Sequence, residues 1–309
     1  MVEKKTGKMK RRTIYIWVWM IVAAALCSAL GLLAVYNPLS TKPVLTVSIQ
    51  PQRYFLEKIV GDKFDVLCLL AQGSNPEAYE PSFSHLMNLE KSRAYFCMGN
   101  IGFELAILNR VKNNNPELQI IDTSEGIDYL RGTHAGVLEH SHGHKHSHSH
   151  EVDPHVWTSV VNAKIIAQNM YKAVLELDSR NKKYYTKNYN ALLSELVELE
   201  NEMNRELSAV KGEAFAVWHP SLSYFARDYG LTQIAMENEG KEVPAAVLKS
   251  EIDMARNHGV KVLFYQKEFD SRQIQTINEQ LNAVMVEINP MSYEWAEEMR
   301  RITNALTGK

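Results

Sequence analysis

The chain has 309 residues, a formal net charge of −2, 45% hydrophobic residues and 23% charged ones. That length leaves room for about two domains, and the composition is ordinary for a globular protein. A net charge so near zero gives no reason to expect nucleic acid as a partner, since that needs a concentrated basic field.

The N-terminal stretch MVEKKTGKMKRR is basic, and residues 13–36 carry no charge at all. A secretory apolar region runs only about 7–15 residues, whereas about 20 span a bilayer. The segment therefore reads as an uncleaved signal-anchor. The basic residues stay inside and the remainder is exported, tethered to the cytoplasmic membrane. A cleaved signal peptide is the alternative. Lipid acylation at Cys27 is disfavoured by Leu26, where a small residue is expected. Residues 1–43 are thus basic N-terminus, anchor and linker.

From there strand and helix alternate. VLTVSI is a β-branched strand, and QRYFLEKIVGD is a helix closed by Gly61. FDVLCLLA, AYFCMG and QIIDTS read as further strands, with helices at SHLMNLEKS and FELAILNRVKNN. Cys68 and Cys97 fall in two of these strands. Buried free thiols are the plain reading, and a disulfide between them is not established by sequence. After a histidine tract the chain turns helical at SVVNAKIIAQNMYKAVLEL. Residues 179–210 then carry apolar side chains at Tyr185, Tyr189, Leu192, Leu193, Leu196, Leu199, Met203 and Leu207, one helical stripe. Alternation resumes with strands AFAVWH, LTQIAM, VKVLFY and AVMVEI, separated by helices, and ends in a C-terminal helix. The expectation is an α/β protein with two parallel-sheet lobes, 44–178 and 211–309, joined by the long helix 179–210. A ligand belongs in the cleft between lobes, at loops leaving the carboxyl ends of strands.

The histidines carry the chemistry. HSHGHKHSHSH places His140, His142, His144, His146, His148 and His150 among serine, glycine and lysine, with nothing apolar to bury. Such a tract, 134–150, is expected as an exposed loop whose imidazoles gather Zn(II), Cu(II) or Ni(II) loosely; a solvated insert without a role is the plain alternative. His155, in DPHVW, differs: it precedes a helix near Val160 at a junction that faces a cleft. His219 ends the strand AFAVWH in the second lobe. Glu77 lies in the loop GSNPEAYEPSFS, and Asn289 ends AVMVEI before Pro290. These four, two per lobe, are convergent N and O donors suited to a metal ion. Glu287, Gln266 and Glu268 are further candidates to complete the shell. His85 reads as a helix-start or surface residue, His258 as a helix-end residue, and His134 as part of the tract.

TVSIQPQRYFLEKIVGD, NPEAYEPSFS, DPHVWTS, AVWHPSLSYFARDYGL and INPMSYEWAEEMRRI, in this order, resemble the zinc/manganese-type solute-binding proteins of ABC importers over residues 44–309. A histidine-rich loop before DPHVW is similar to the zinc branch. The resemblance implies two (β/α) lobes around a rigid helix, a buried metal between them, and delivery to a membrane permease; the protein is expected to be a monomer. It implies metal ligation by His155 and His219. At the family's first-ligand histidine this chain has Glu77, and at its final aspartate it has Asn289. The cargo implied is Zn(II), with Mn(II) as the alternative. A metal buffer or adhesin without a permease is a second reading. A metallohydrolase is the least supported, since HExxH, GxSxG and P-loop motifs are absent.

Overall fold

Strands β1 (Val44–Val47), β2 (Asp65–Cys68), β3 (Ala94–Cys97) and β4 (Gln119–Asp122) form one sheet in the order β2-β1-β3-β4. Every pairing in it is parallel. Strands β5 (Ala214–Val217), β6 (Thr232–Ala235), β7 (Val262–Tyr265) and β8 (Val284–Glu287) repeat the arrangement as β6-β5-β7-β8, again parallel throughout. The computed structural model describes residues 42–71, 73, 76, 79–131, 152–237, 244–269 and 271–309. The apolar segment 13–36, Glu77 and the tract 134–150 lie outside them.

Parallel strands covered on both faces must be apolar at every position, not at alternate ones. All four residues of β3 are accordingly buried, and AFAV of β5 nearly so. The helices of the first lobe are α1 (Gln50–Val60), α2 (Phe83–Glu90), α3 (Gly102–Asn114) and α4 (Val160–Leu177). Ser82 and Ser159 cap α2 and α4 by accepting the N–H of His85 and Asn162. Gly61, at φ 54°, ends α1 in a conformation other residues rarely hold.

The long helix is α5 (Lys182–Leu207), 26 residues and so about 39 Å, with short 3₁₀ turns at Ser179–Asn181 and Ser208–Val210. Six members of the expected stripe are fully buried, while Tyr189 and Leu193 are half-buried. Toward the first lobe, Lys58 pairs with Glu195 at 2.7 Å and Asn188 Nδ2 donates to Ile59 O at 3.1 Å. Toward the second, Arg300 and Lys309 of and after α9 (Trp295–Thr307) pair with Glu202 and Glu206 at 3.0 Å each.

The remaining helices, α6 (Ser223–Tyr229), α7 (Ala245–Asn257) and α8 (Ser271–Leu281), complete the second lobe. Its sheet has two unlike faces. Phe215, Val217 and Phe264 belong to one apolar cluster that runs through α5, α9 and the first lobe. Ala216, Trp218 and Leu263 pack with Ile252, Ile274 and Ile277 of α7 and α8 in a separate cluster. Two tryptophans bind the lobes further: Trp157 Nε1 donates to Pro290 O at 3.0 Å, and Trp295 Nε1 donates to Trp157 O at 2.8 Å.

Candidate metal centre

β5 delivers His219 just past its carboxyl end, and the chain turns at once, with Ser221 N–H donating to His219 O at 2.7 Å. His155 comes from the other lobe, at the start of the 3₁₀ turn Val156–Thr158 that leads into α4. The fold brings them together: Nε2 of one lies 3.1 Å from Nε2 of the other, and both side chains are buried, 6% and 5% exposed. Two imidazole ligands at adjacent corners of a zinc tetrahedron, with Zn–N near 2.05 Å, stand about 3.3 Å apart. The pair is therefore spaced as two adjacent ligands would be.

Each imidazole is held from behind. Asp153 Oδ1 accepts from His155 Nδ1 at 2.8 Å and from its backbone N–H at 2.9 Å. His219 Nδ1 is hydrogen-bonded to Glu237 Oε1, which follows β6 and is itself buried. A carboxylate on Nδ1 fixes the proton there and leaves the Nε2 lone pair for a cation. Burial by itself would raise the Asp153 carboxyl. The hydrogen bonds from His155 and Ser223 outweigh that and hold it below the usual range, so it stays anionic. Tyr224 of α6 donates to Asp153 O at 2.7 Å, which fastens this first-lobe loop to the second lobe.

Aromatic walls enclose the pair. The Trp157 ring lies 5.2 Å from His155, and the Phe269 ring stacks on His219 at 5.6 Å and 22°. No third His, Cys, Asp or Glu among the described residues joins them in a metal-holding group. Glu77, the expected donor of the first lobe, lies outside the described residues, as do His140, His142, His144, His146, His148 and His150.

Asn289 is half-buried at the end of β8. Its Oδ1 accepts the N–H of Met291 at 3.1 Å, and its N–H donates to Glu298 at 2.6 Å. Glu287 and Glu268 are exposed. The Glu268 carboxyl is raised chiefly by desolvation, helped by Glu287 and opposed by His219. Gln266 is buried beside Ser221. His85 Nδ1 is hydrogen-bonded to Tyr79 Oη at 2.6 Å within the first lobe, and His258 caps α7.

Cys68 and Cys97 are free thiols on β2 and β3, which β1 separates. Burial raises both, Cys68 to about 12, so neither offers a thiolate.

Sequence reading did not single out Asp153 or Glu237. The first was legible in DPHVW, two residues before His155. The second becomes a partner only because β5 and β6 are neighbours.

The family described as the periplasmic component A of zinc-uptake complexes, ZnuA, matches residues 45–308. The chain is 28% identical over 252 residues to the high-affinity zinc uptake system protein ZnuA of Bacillus subtilis (strain 168), covering 80% of this chain and 78% of that protein. It is 25% identical over 290 residues to the manganese ABC transporter substrate-binding lipoprotein PsaA of Streptococcus anginosus, covering 89% and 87%. A crystal structure of a 138–173 deletion mutant of ZnuA with zinc bound superposes with a TM-score of 0.76 at 34% identity, over 86% of this chain and 96% of that one. A second ZnuA crystal structure gives 0.77 at 33% identity, over 86% and 98%.

Proposed function

Because this chain belongs to the periplasmic component A family of zinc-uptake complexes, we propose that it captures Zn(II) outside the cytoplasmic membrane and hands it to the permease of an ABC importer. The observation that carries the choice of cargo is the facing pair of buried imidazole Nε2 atoms, 3.1 Å apart and each backed by a carboxylate. Two nitrogen donors favour zinc over manganese, which prefers carboxylate, carbonyl and water. His155 and His219 are the core of the shell. Oxygen donors come from Glu77 in the first lobe and from the second lobe, where Asn289 holds the family position.

The reading also gives the protein no chemistry to perform. A carrier closes the shell of its ion, whereas a catalytic zinc keeps one position open for water. Residues 13–36 tether the protein, and it works as a monomer. The tract 134–150 gathers zinc loosely.

The test is metal stoichiometry. The full chain in detergent, and the same chain lacking residues 134–150, are titrated with Zn(II) and Mn(II) against a chelator of known affinity. One tight Zn(II) retained after the deletion is the expected result. Loss of all tight binding with the tract would leave a histidine-rich buffer on a carrier scaffold.

A further inference from the structure

Gln266 stands just past the end of β7 and is 3% exposed. Its Nε2 donates to Ser221 Oγ at 2.9 Å, but its Oε1 has no hydrogen-bond partner. It is the one buried side-chain N or O atom so left among the described residues. An orphaned amide oxygen has given up its hydration with nothing in return, and a native protein keeps such an atom where something else supplies the partner.

Its place in the fold points to what that is. In the order β6-β5-β7-β8, consecutive strands part to opposite sides between β5 and β7, and a ligand crevice opens at such a switch point beyond the carboxyl ends. His219 leaves β5 there and Gln266 leaves β7. Val217 pairs with Phe264, so a register continued by two residues sets His219 opposite Gln266. Side chains alternate along a strand. Both residues therefore continue the face of Val217 and Phe264, which belongs to the core shared with the first lobe. Asn289 instead continues the face of Met285, which packs with the α7 and α8 cluster, and its Oδ1 already holds Met291 N–H. Phe269, three residues beyond Gln266, lies against the His219 ring, so the loop leaving β7 reaches one member of the histidine pair.

We propose that Gln266 Oε1, not Asn289, is the oxygen donor that the second lobe gives to the captured metal ion. The proposal rests on the reading of His155 and His219 as ligands. A neutral amide oxygen at this corner leaves the negative charge to the carboxylates behind the imidazoles, Asp153 and Glu237.

The experiment is a zinc titration against a chelator of known affinity, on the full chain in detergent with residues 134–150 deleted. Gln266→Leu is expected to weaken zinc binding by about tenfold or more. Gln266→Leu also takes the Nε2 hydrogen bond from buried Ser221, so the metal-free melting temperature should fall modestly, and the mark of a ligand is the affinity lost beside it. A residue that only packs would show the lower melting temperature with unchanged affinity. Gln266→Glu, which puts an anion at the same corner, is expected to bind zinc at least as tightly and to shift the visible absorption bands of bound Co(II). Parent and Gln266→Leu with equal affinity, while His155→Ala abolishes binding, would overturn the role of Gln266 and leave the carrier reading intact. A parent without tight zinc would remove both. If Gln266→Leu does not fold, Gln266→Glu decides: weakened zinc or unmoved Co(II) bands overturn the proposal.

Discussion

His155 and His219 gain their meaning from what stands behind them. A histidine alone on a strand end is more often capped or solvated than ligating. Here Asp153 and Glu237 each take an Nδ1 and aim an Nε2 at the other lobe. Asp153→Asn or Glu237→Gln should therefore weaken zinc binding by about 10–100-fold with all direct ligands intact, measured by chelator competition. Unchanged affinity in both variants would reduce the two carboxylates to packing. At this scale the sequence was partly readable. DPHVW and AFAVWH announced the two histidines by their positions at element ends. Nothing local announced Glu237, 18 residues from its partner, or the unpaired oxygen of Gln266. Both are products of strand order, which no periodicity encodes.

Elements were the most legible layer, for a physical reason. Short apolar runs such as AYFC and AFAV, with helices between them, leave a covered parallel sheet as the consistent arrangement. The 3₁₀ turns at both ends of α5 were not legible, because helical periodicity does not distinguish a tightened last turn. Two junctions make predictions. A Cβ on Gly61 would lie 2.2 Å from Tyr184 Oη at a backbone of φ 54°. Gly61→Ala should cost about 1–3 kcal/mol, read from the urea midpoint. An unshifted midpoint would mean that α5 yields freely at Tyr184.

The second junction is β3 to α3, where the Glu104 carboxylate accepts the N–H of Met98 and Gly99 at 2.7 and 2.8 Å. Burial pushes this group from an ordinary 4.5 up to about 7, despite those hydrogen bonds. A carboxyl raised on folding favours the folded state most below its unfolded value. That contribution fades as pH rises through about 7. Between pH 5 and 8 the metal-free protein should lose up to about 3 kcal/mol through Glu104. Glu104→Gln should flatten that slope, and equal slopes in parent and variant would count against it.

Residues of both lobes and of α5 share one apolar cluster. Residues 43–309 accordingly form one compact body. Calorimetry on the metal-free chain should show a single transition for this body. Leu199→Ala, at the middle of the strut and 1% exposed, should lower that transition as a whole by about 2–5 kcal/mol. Two separated transitions would mean that the lobes melt independently and that the strut only connects them. Zinc at about 100 times its Kd should add about 2.7 kcal/mol to whichever state holds the shell closed. The two-lobe plan and the strut were readable from the stripe of α5, whereas the tryptophan ties between lobes were not, since each joins residues more than a hundred positions apart.

Trp157 does more than tie the lobes. Its indole is buried, 1% exposed, and its ring lies 5.2 Å from an imidazole that the proposed cargo would coordinate. Its excited state is shielded from water yet borders the group whose charge and electronic character change on loading. With His155 as a ligand, Trp157 would serve as a gauge of occupancy. Emission excited near 295 nm should change in step with zinc uptake, and Trp157→Phe should abolish most of that change while the metal still binds.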